Sequence, residues 1–175
     1  MLNLIYSRWN DPLYKNSFYL IFSALISAGM GFFFWIIAAR LYSTDEVGIA
    51  TALISSVTII IILSRFGLDQ SIIRFLPVKD KNKILSTSLY VTTFSSLIFG
   101  ILFIVGIPIW SPELSIIYTI IPLYLMVIFI NSIYSTITTI FIALRCAGFI
   151  LIQNIMNGTR ILFLFPLVFL GAVGI

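Results

Sequence analysis

Five long apolar runs divide the chain, and short polar stretches separate them. Each run reaches the length of roughly 17–25 residues that an α-helix needs to cross a bilayer. The first run carries no charged residue, and Arg40 ends it. The pattern therefore predicts five membrane-spanning helices, at residues 17–39, 47–64 with an extension to 76, 84–109, 112–144 and 150–175.

Local signals mark where several of these helices begin and end. Ser43 and Glu46 have the spacing of a capping box, so the second helix is expected to start almost directly after the first. Pro77 and the polar run behind it are expected to end the extension of the second helix. Ser111 and Pro112 supply an N-cap and a first-position proline for the fourth helix.

The composition assigns the chain to the membrane proteins. It is 61% hydrophobic and 9% charged, whereas a soluble domain carries about 45–50% apolar and about 25% charged residues. The fold class predicted is an all-α integral membrane protein, a polytopic transmembrane helical bundle. The basic residues sit in short gaps between apolar runs instead of on one amphipathic face, which argues against nucleic-acid binding.

The basic residues also predict an orientation. Residues 1–16 mix apolar, aromatic and charged side chains, which is typical of a cytoplasmic segment in the membrane interface. With this segment inside, nine of the ten basic residues fall on the inner side or at inner helix ends, and Arg40 alone falls outside. The nine are Arg8, Lys15, Arg65, Arg74, Lys79, Lys81, Lys83, Arg145 and Arg160.

Five spans starting inside place residue 175 on the outer side of the membrane. Such an end is expected of the N-terminal part of a longer transporter or of a truncated gene. The localisation predicted is the cell membrane, with several spans and a cytoplasmic N-terminus.

Polar faces run along the last three predicted spans and should point away from lipid. Interhelical hydrogen bonds, worth roughly 0.6 kcal/mol each, are enough to explain the serines and threonines. An arginine within a span costs roughly 2.5–3.5 kcal/mol, so Arg160 is expected to face a wet cavity, a partner or a ligand. The faces comprise Ser88, Thr92, Ser95 and Ser96; Asn131, Ser135, Thr138 and Arg145; and Gln153, Asn157 and Arg160.

Further candidate binding residues lie where the second helix leaves the bilayer. Arg65 and Asp69 stand four residues apart, a spacing that permits an ion pair within one helix or a role in ligand binding. Arg74, one helix turn further on, adds a third charge. The sequence contains no histidine and no motif of a catalytic or metal site, so we expect neither an enzyme nor a bound cofactor.

Two stretches resemble a known family. Residues 39–50, ARLYSTDEVGIA, are similar to the segment between the first two helices of oligosaccharide flippases, and residues 65–77, RFGLDQSIIRFLP, to the segment that closes their second helix. These flippases are polysaccharide biosynthesis proteins of the Wzx or RfbX type, in the multidrug/oligosaccharidyl-lipid/polysaccharide exporter superfamily. The chain resembles the N-terminal part of such a protein, within one six-helix lobe.

The resemblance implies transport of a polyprenyl- or dolichyl-linked oligosaccharide across the bilayer for surface polysaccharide or glycan biosynthesis. It also implies partners, either the remaining transporter lobe or glycan synthesis proteins. Arginines at inner helix ends suit a diphosphate head group. The alternatives are a drug/cation antiporter of the same superfamily, which would be expected to use buried carboxylates, and a non-transporting membrane partner in a glycan synthesis complex.

The orientation can be tested with reporter fusions. Because the basic residues cluster on one side, a reporter fused at Lys81 should report the cytoplasm, and one fused at Glu113 should report the exterior. An alkaline phosphatase and green fluorescent protein pair measures both. The opposite pattern would contradict the orientation.

Overall fold

The computed structural model describes residues 12–159, and these residues are helical almost throughout. Four of their helices, α1, α2, α4 and α5 below, are long and apolar enough to cross a membrane. The chain is an all-α polytopic membrane bundle, as the apolar pattern predicts. The elements are α1 (Pro12–Leu41), α2 (Thr44–Ser64), α3 (Leu68–Phe75), α4 (Lys81–Trp110), a 3₁₀ helix (Pro112–Thr119), α5 (Ile121–Ala143) and α6 (Ala147–Gly158).

The predicted capping box is present at the start of α2. The backbone N–H and the hydroxyl of Ser43 both donate to Glu46 Oε2, each over 2.8 Å. The backbone N–H of Glu46 donates in return to Ser43 Oγ at 3.3 Å. These bonds satisfy donors that the first helical turn would otherwise leave unpaired, and α2 accordingly starts at Thr44.

The extension of the second helix to residue 76 is not continuous, which corrects the prediction. α2 ends at Ser64, and a separate helix, α3, begins at Leu68. Between them Phe66 has φ 46° and Gly67 has φ 76°. Two successive residues in the left-handed region cannot continue a right-handed helix, so the chain turns here.

The fourth predicted span, residues 112–144, is also two elements instead of one. A 3₁₀ helix ends at Thr119, and α5 starts at Ile121 with Pro122 in its first turn. In a continuous helix the ring of Pro122 would clash with the carbonyl four residues earlier, so the α-helix begins immediately before it. Of the fifth predicted span, residues 150–175, only residues 150–159 lie within the described part of the chain, and the helix there starts earlier, at Ala147.

The chain divides into two compact units, residues 1–47 with 145–175 and residues 48–144. In the first unit α1 and α6 run parallel. Three contacts follow one another in the same direction along both helices: Asn16 with Ala147, Ser23 with Asn154, and Met30 with Gly158. Because parallel helices begin at the same end, the start of α6 lies beside the start of α1.

The second unit is built on the antiparallel pair of α4 and α5. The hydroxyls of Thr92 and Thr136 are 3.0 Å apart, and two turns further along α4 a Cβ added to Gly100 would lie 2.8 Å from Ile128 Cδ1. The small residue therefore permits close packing. The buried apolar cluster of this unit comprises Val57, Ile60, Ile61, Ile104, Ile107, Leu114, Ile117, Tyr124 and Ile128.

The left-handed turn between α2 and α3 gives a testable prediction. A Cβ at Gly67 meets no atom within 4 Å, so only its φ of +76° opposes a larger residue. Gly67→Ala should lower the free energy of unfolding by about 1 kcal/mol. Unfolding in detergent, followed by circular dichroism, measures the change.

Gly48→Ala is the matched control for this prediction. Gly48 also has open space around its Cβ position, but it lies within α2. Alanine favours helix over glycine, so this variant should be as stable as the parent or slightly more stable. An equal loss in both variants would mean that the left-handed conformation is not the cause.

Candidate functional site

A charged cluster lies where the turn after α2 meets α5; we call Arg65, Asp69, Ser135 and Thr139 the Arg65 cluster. Arg65 Nη1 donates to Asp69 Oδ2 at 2.6 Å, and Arg65 Nη2 donates to Ser135 Oγ. The hydroxyl of Thr139 donates to Asp69 Oδ1 at 3.1 Å. The two charged side chains are 16% and 30% exposed. The cluster therefore links α3 to α5 through a largely enclosed ion pair.

The sequence places each member of the cluster by helical spacing. Asp69 lies in the first turn of α3, just after the left-handed turn at Gly67, and its carboxylate reaches back to Arg65. Ser135 and Thr139 are four residues apart, hence on one face of α5. Both charges are neutralised within the cluster, so the ion pair predicted from the spacing is present. A ligand-binding role for Arg65 or Asp69 stays a prediction.

A second polar feature is a row of hydroxyls between α4 and α5. Ser88, Thr92 and Ser96 on α4 are buried, as their predicted polar face requires. On α5, Ser132 and Thr136 carry buried hydroxyls that the predicted face of Asn131, Ser135 and Thr138 misses. The spacing in the sequence indicates this face, because Tyr124, Ile128, Ser132 and Thr136 follow one another at four-residue intervals.

Tyr124 shows that α2 joins the same interior. Its hydroxyl lies 2.7 Å from Ser56 Oγ, and both residues are buried. Ser56 also donates to the carbonyl of Leu53 at 2.7 Å, so Tyr124 can donate in turn to Ser56. The pair connects α2 to α5 through side chains of no net charge, which fits a structural role.

The remaining predicted site residues of α5 and α6 lie in different units. Asn131 is exposed, and its side-chain amide donates to the carbonyl of Val127 at 2.9 Å. In the other unit Gln153 is half-buried and Asn157 is exposed. The wet cavity, partner or ligand expected for Arg160 stays a prediction, because Arg160 lies outside the described residues.

Asn154 is a polar residue of α6 that packs against α1. Its side-chain amide donates to Ser23 Oγ at 2.6 Å, and Ser23 is 1% exposed. The polar face predicted from the sequence contains Gln153 and Asn157 and not Asn154. The buried residues Ala147, Ile150 and Gly158 lie three or four residues apart along the same face, and this spacing identifies Asn154 as the inward position.

Arg145 lies between α5 and α6 in a left-handed conformation, with φ 58°. Its side chain borders a cleft of about 570 Å³ in the first unit, together with Lys15, Asn16 and Tyr19 of α1. Residues of the first two turns of α6 complete the lining, among them Phe149 and Ile152. This cleft brings together two of the cations assigned to the inner side by sequence.

Arg74 takes another position. It is exposed, and its guanidinium carbon lies 5.6 Å from the centre of the Phe75 ring, with Lys79 Nζ 4.9 Å from the same ring. The arrangement suits a cation–π contact at the surface of α3. In the part of the chain that the structure describes, no group of three acidic, histidine or cysteine residues could hold a metal ion.

Comparison with known proteins identifies a family for the chain. The family model described as polysaccharide biosynthesis protein matches residues 13–174, which is nearly the whole chain. No curated protein and no solved structure matches the chain. The family indicated by the two motifs at residues 39–50 and 65–77 is therefore confirmed.

The Arg65 cluster can be tested with a double-mutant cycle. Asp69→Asn leaves the guanidinium without its carboxylate in a largely enclosed position, and should lower the free energy of unfolding by about 2 kcal/mol. Arg65→Gln together with Asp69→Asn should cost less than the sum of the two single variants, by about 1 kcal/mol or more.

Arg74→Gln is the matched control, since it removes an exposed arginine on α3. It should change stability by no more than about 0.5 kcal/mol. Unfolding of the four variants in one detergent measures the cycle. Strictly additive single changes would show that the ion pair contributes nothing to stability.

Proposed function

The chain belongs to the polysaccharide biosynthesis protein family, and we propose that it takes part in moving a lipid-linked oligosaccharide across the membrane. The observation that carries the proposal is the family match over residues 13–174 in a chain with four helices long and apolar enough to span a bilayer. The proposed substrate is an oligosaccharide on a polyprenyl or dolichyl carrier, moved from the cytoplasmic to the outer leaflet.

The chemistry of such a substrate sets the requirements for its binding site. A glycan and a diphosphate cannot enter hydrocarbon without polar partners, and guanidinium groups bind phosphate oxygens in a bidentate manner. Arg145 is exposed at the end of a predicted span and suits this role. We propose Arg160 and the amides of Asn131, Gln153 and Asn157 as further contacts in the working transporter.

The Arg65 cluster is less suited to hold the head group directly. The guanidinium of Arg65 already donates to Asp69 and Ser135, so binding a phosphate would require breaking the ion pair. We therefore propose that Arg65 and Asp69 set the position of α3 against α5. Arg74, exposed on α3, remains a candidate for contact with the substrate.

A drug/cation antiporter of the same superfamily is a weaker alternative. Coupling to cations by a carboxylate requires one that can exchange its proton or ion. Among the described carboxylates, Asp69 is paired with Arg65, while Asp80 and Glu46 accept hydrogen bonds at helix starts. Asp45 and Glu113 are exposed. None of the five is a buried, uncommitted carboxylate.

Depletion of the chain in its own host tests the proposed function. Lipid-linked oligosaccharide should accumulate with its glycan on the cytoplasmic face, because synthesis continues while translocation stops. The measurement compares the labelling of the glycan by a membrane-impermeant lectin in intact spheroplasts and in permeabilised ones. Re-expression of the chain should restore labelling in intact spheroplasts.

Two other outcomes would contradict this proposal. If depletion abolishes the lipid-linked oligosaccharide altogether, the chain acts in synthesis, as expected of a non-transporting partner in a glycan synthesis complex. If the glycan reaches the outer leaflet normally but cells become sensitive to cationic drugs, the antiporter alternative is correct.

A further inference from the structure

The cleft between the starts of α1 and α6 combines positive charge with apolar surface. Lys15 and Arg145 are both exposed and line it, and no acidic residue is among its described lining residues. Phe149 is 58% exposed and Ile152 is 55% exposed. A ligand that fits both features is an amphiphile with an anionic head and a hydrocarbon chain.

The position of the two cations along the helices points to a ligand from the membrane. Lys15 lies in the first turn after Pro12 of α1, and Arg145 lies just after the end of α5, so each stands at the boundary of a candidate span. Lipid phosphates occupy this level of a bilayer, and basic pockets between membrane helices bind phosphate-bearing head groups. Apolar residues further along α6 then lie at the level of the lipid chains.

The charged donors at this end of the cleft are side chains. The first amide of α6, that of Ala147, already donates to Asn16 Oδ1 at 2.9 Å. The cationic side chains that line the cleft are those of Lys15 and Arg145. A guanidinium and an ammonium together match the several oxygens of a phosphate.

The backbone conformation of Arg145 would suit glycine better than arginine. A residue with φ 58° directly after a helix is usually glycine, because any side chain is strained in this conformation. Arginine at this position lowers backbone stability relative to glycine and contributes a positive charge. Replacement by glycine therefore removes the charge while relieving strain.

We propose that this cleft binds a phosphate-bearing membrane lipid, with Lys15 and Arg145 holding the phosphate and Phe149 and Ile152 contacting its hydrocarbon chain. The proposal deepens the proposed function, on which it rests, because the carrier lipid of an oligosaccharide has this same chemistry. It assigns the contact with the lipid phosphate to the first unit.

Binding to the purified full chain in detergent tests the proposal, with dioleoyl phosphatidic acid as the probe and native mass spectrometry as the readout. One lipid should bind saturably. The double variant Lys15→Gln with Arg145→Gly should weaken binding by about tenfold or more, because each cation contributes to holding the anion. Ile152→Ser should weaken it as well, through loss of apolar contact.

Arg40→Gln is the matched control, because it removes an exposed cation from the opposite end of α1. It should change the affinity by less than about twofold. Circular dichroism and thermal unfolding verify that each variant folds, and Arg145→Gly alone should be at least as stable as the parent. If the double variant does not fold, the two single variants carry the test.

Three results would overturn the proposal. These are unchanged binding in the variants that lose Lys15 or Arg145, an equal loss in Arg40→Gln, or displacement of the lipid by inorganic phosphate at a similar concentration. The last would identify a site for free phosphate instead of lipid. Since binding is measured on purified protein, its failure would leave the depletion experiment unaffected, and a failed depletion experiment would leave lipid binding unaffected.

Discussion

Hydrocarbon offers no hydrogen-bond partner, so a polar side chain inside a membrane bundle must find one on its own helix or on a neighbouring helix. Throughout residues 12–159, no buried side-chain nitrogen or oxygen lacks a hydrogen bond. The hydroxyls of Thr92 and Thr136 each lie within hydrogen-bonding distance of a carbonyl one turn earlier and of each other, between α4 and α5. A hydroxyl has one proton, so one threonine donates to the other, which in turn donates to a carbonyl of its own helix. A bond to a carbonyl of its own helix would be enough to satisfy each hydroxyl. The hydrogen bond between the two threonines therefore serves to hold α4 against α5.

The same constraint explains why the charged pair stands at a helix break. A left-handed turn after α2 leaves backbone groups without their helical partners, and two of the N–H groups that follow donate to carbonyls within the turn, Leu68 to Arg65 at 2.8 Å and Gln70 to Gly67 at 3.1 Å. Asp69 then reaches Arg65, and Thr139 reaches Asp69. Part of the backbone and both charged side chains thus find partners within the turn and on α5.

The parts of the fold that could be predicted from the sequence depend on length, hydropathy and contacts between near neighbours. Four spans follow from apolar length, and the pairs of Ser43 with Glu46 and Arg65 with Asp69 follow from their short spacing along the chain. The sequence does not predict the break at Ile120, because apolar residues continue across it, or the break at Gly67, because residues 68–75 are helical in the prediction and in the structure alike. Gly67 and Pro122 are the local signals. Partners from other helices, such as Ser135 and Asn154, depend on packing. Periodicity alone does not decide between adjacent polar residues when both lie near the buried face.

The parallel pairing of α1 and α6 connects topology with electrostatics. If α6 begins at the same end as α1, the chain between them must cross the membrane an odd number of times, and α2, α4 and α5 supply three crossings. The pairing thus agrees with alternating spans and places Lys15 and Arg145 on one face. Basic residues are retained on the cytoplasmic face and attract the anionic lipids of that leaflet. In the orientation that the sequence predicts, the charges that orient the chain are therefore the ones that we propose to hold a lipid phosphate, so both proposals depend on the same electrostatic interaction.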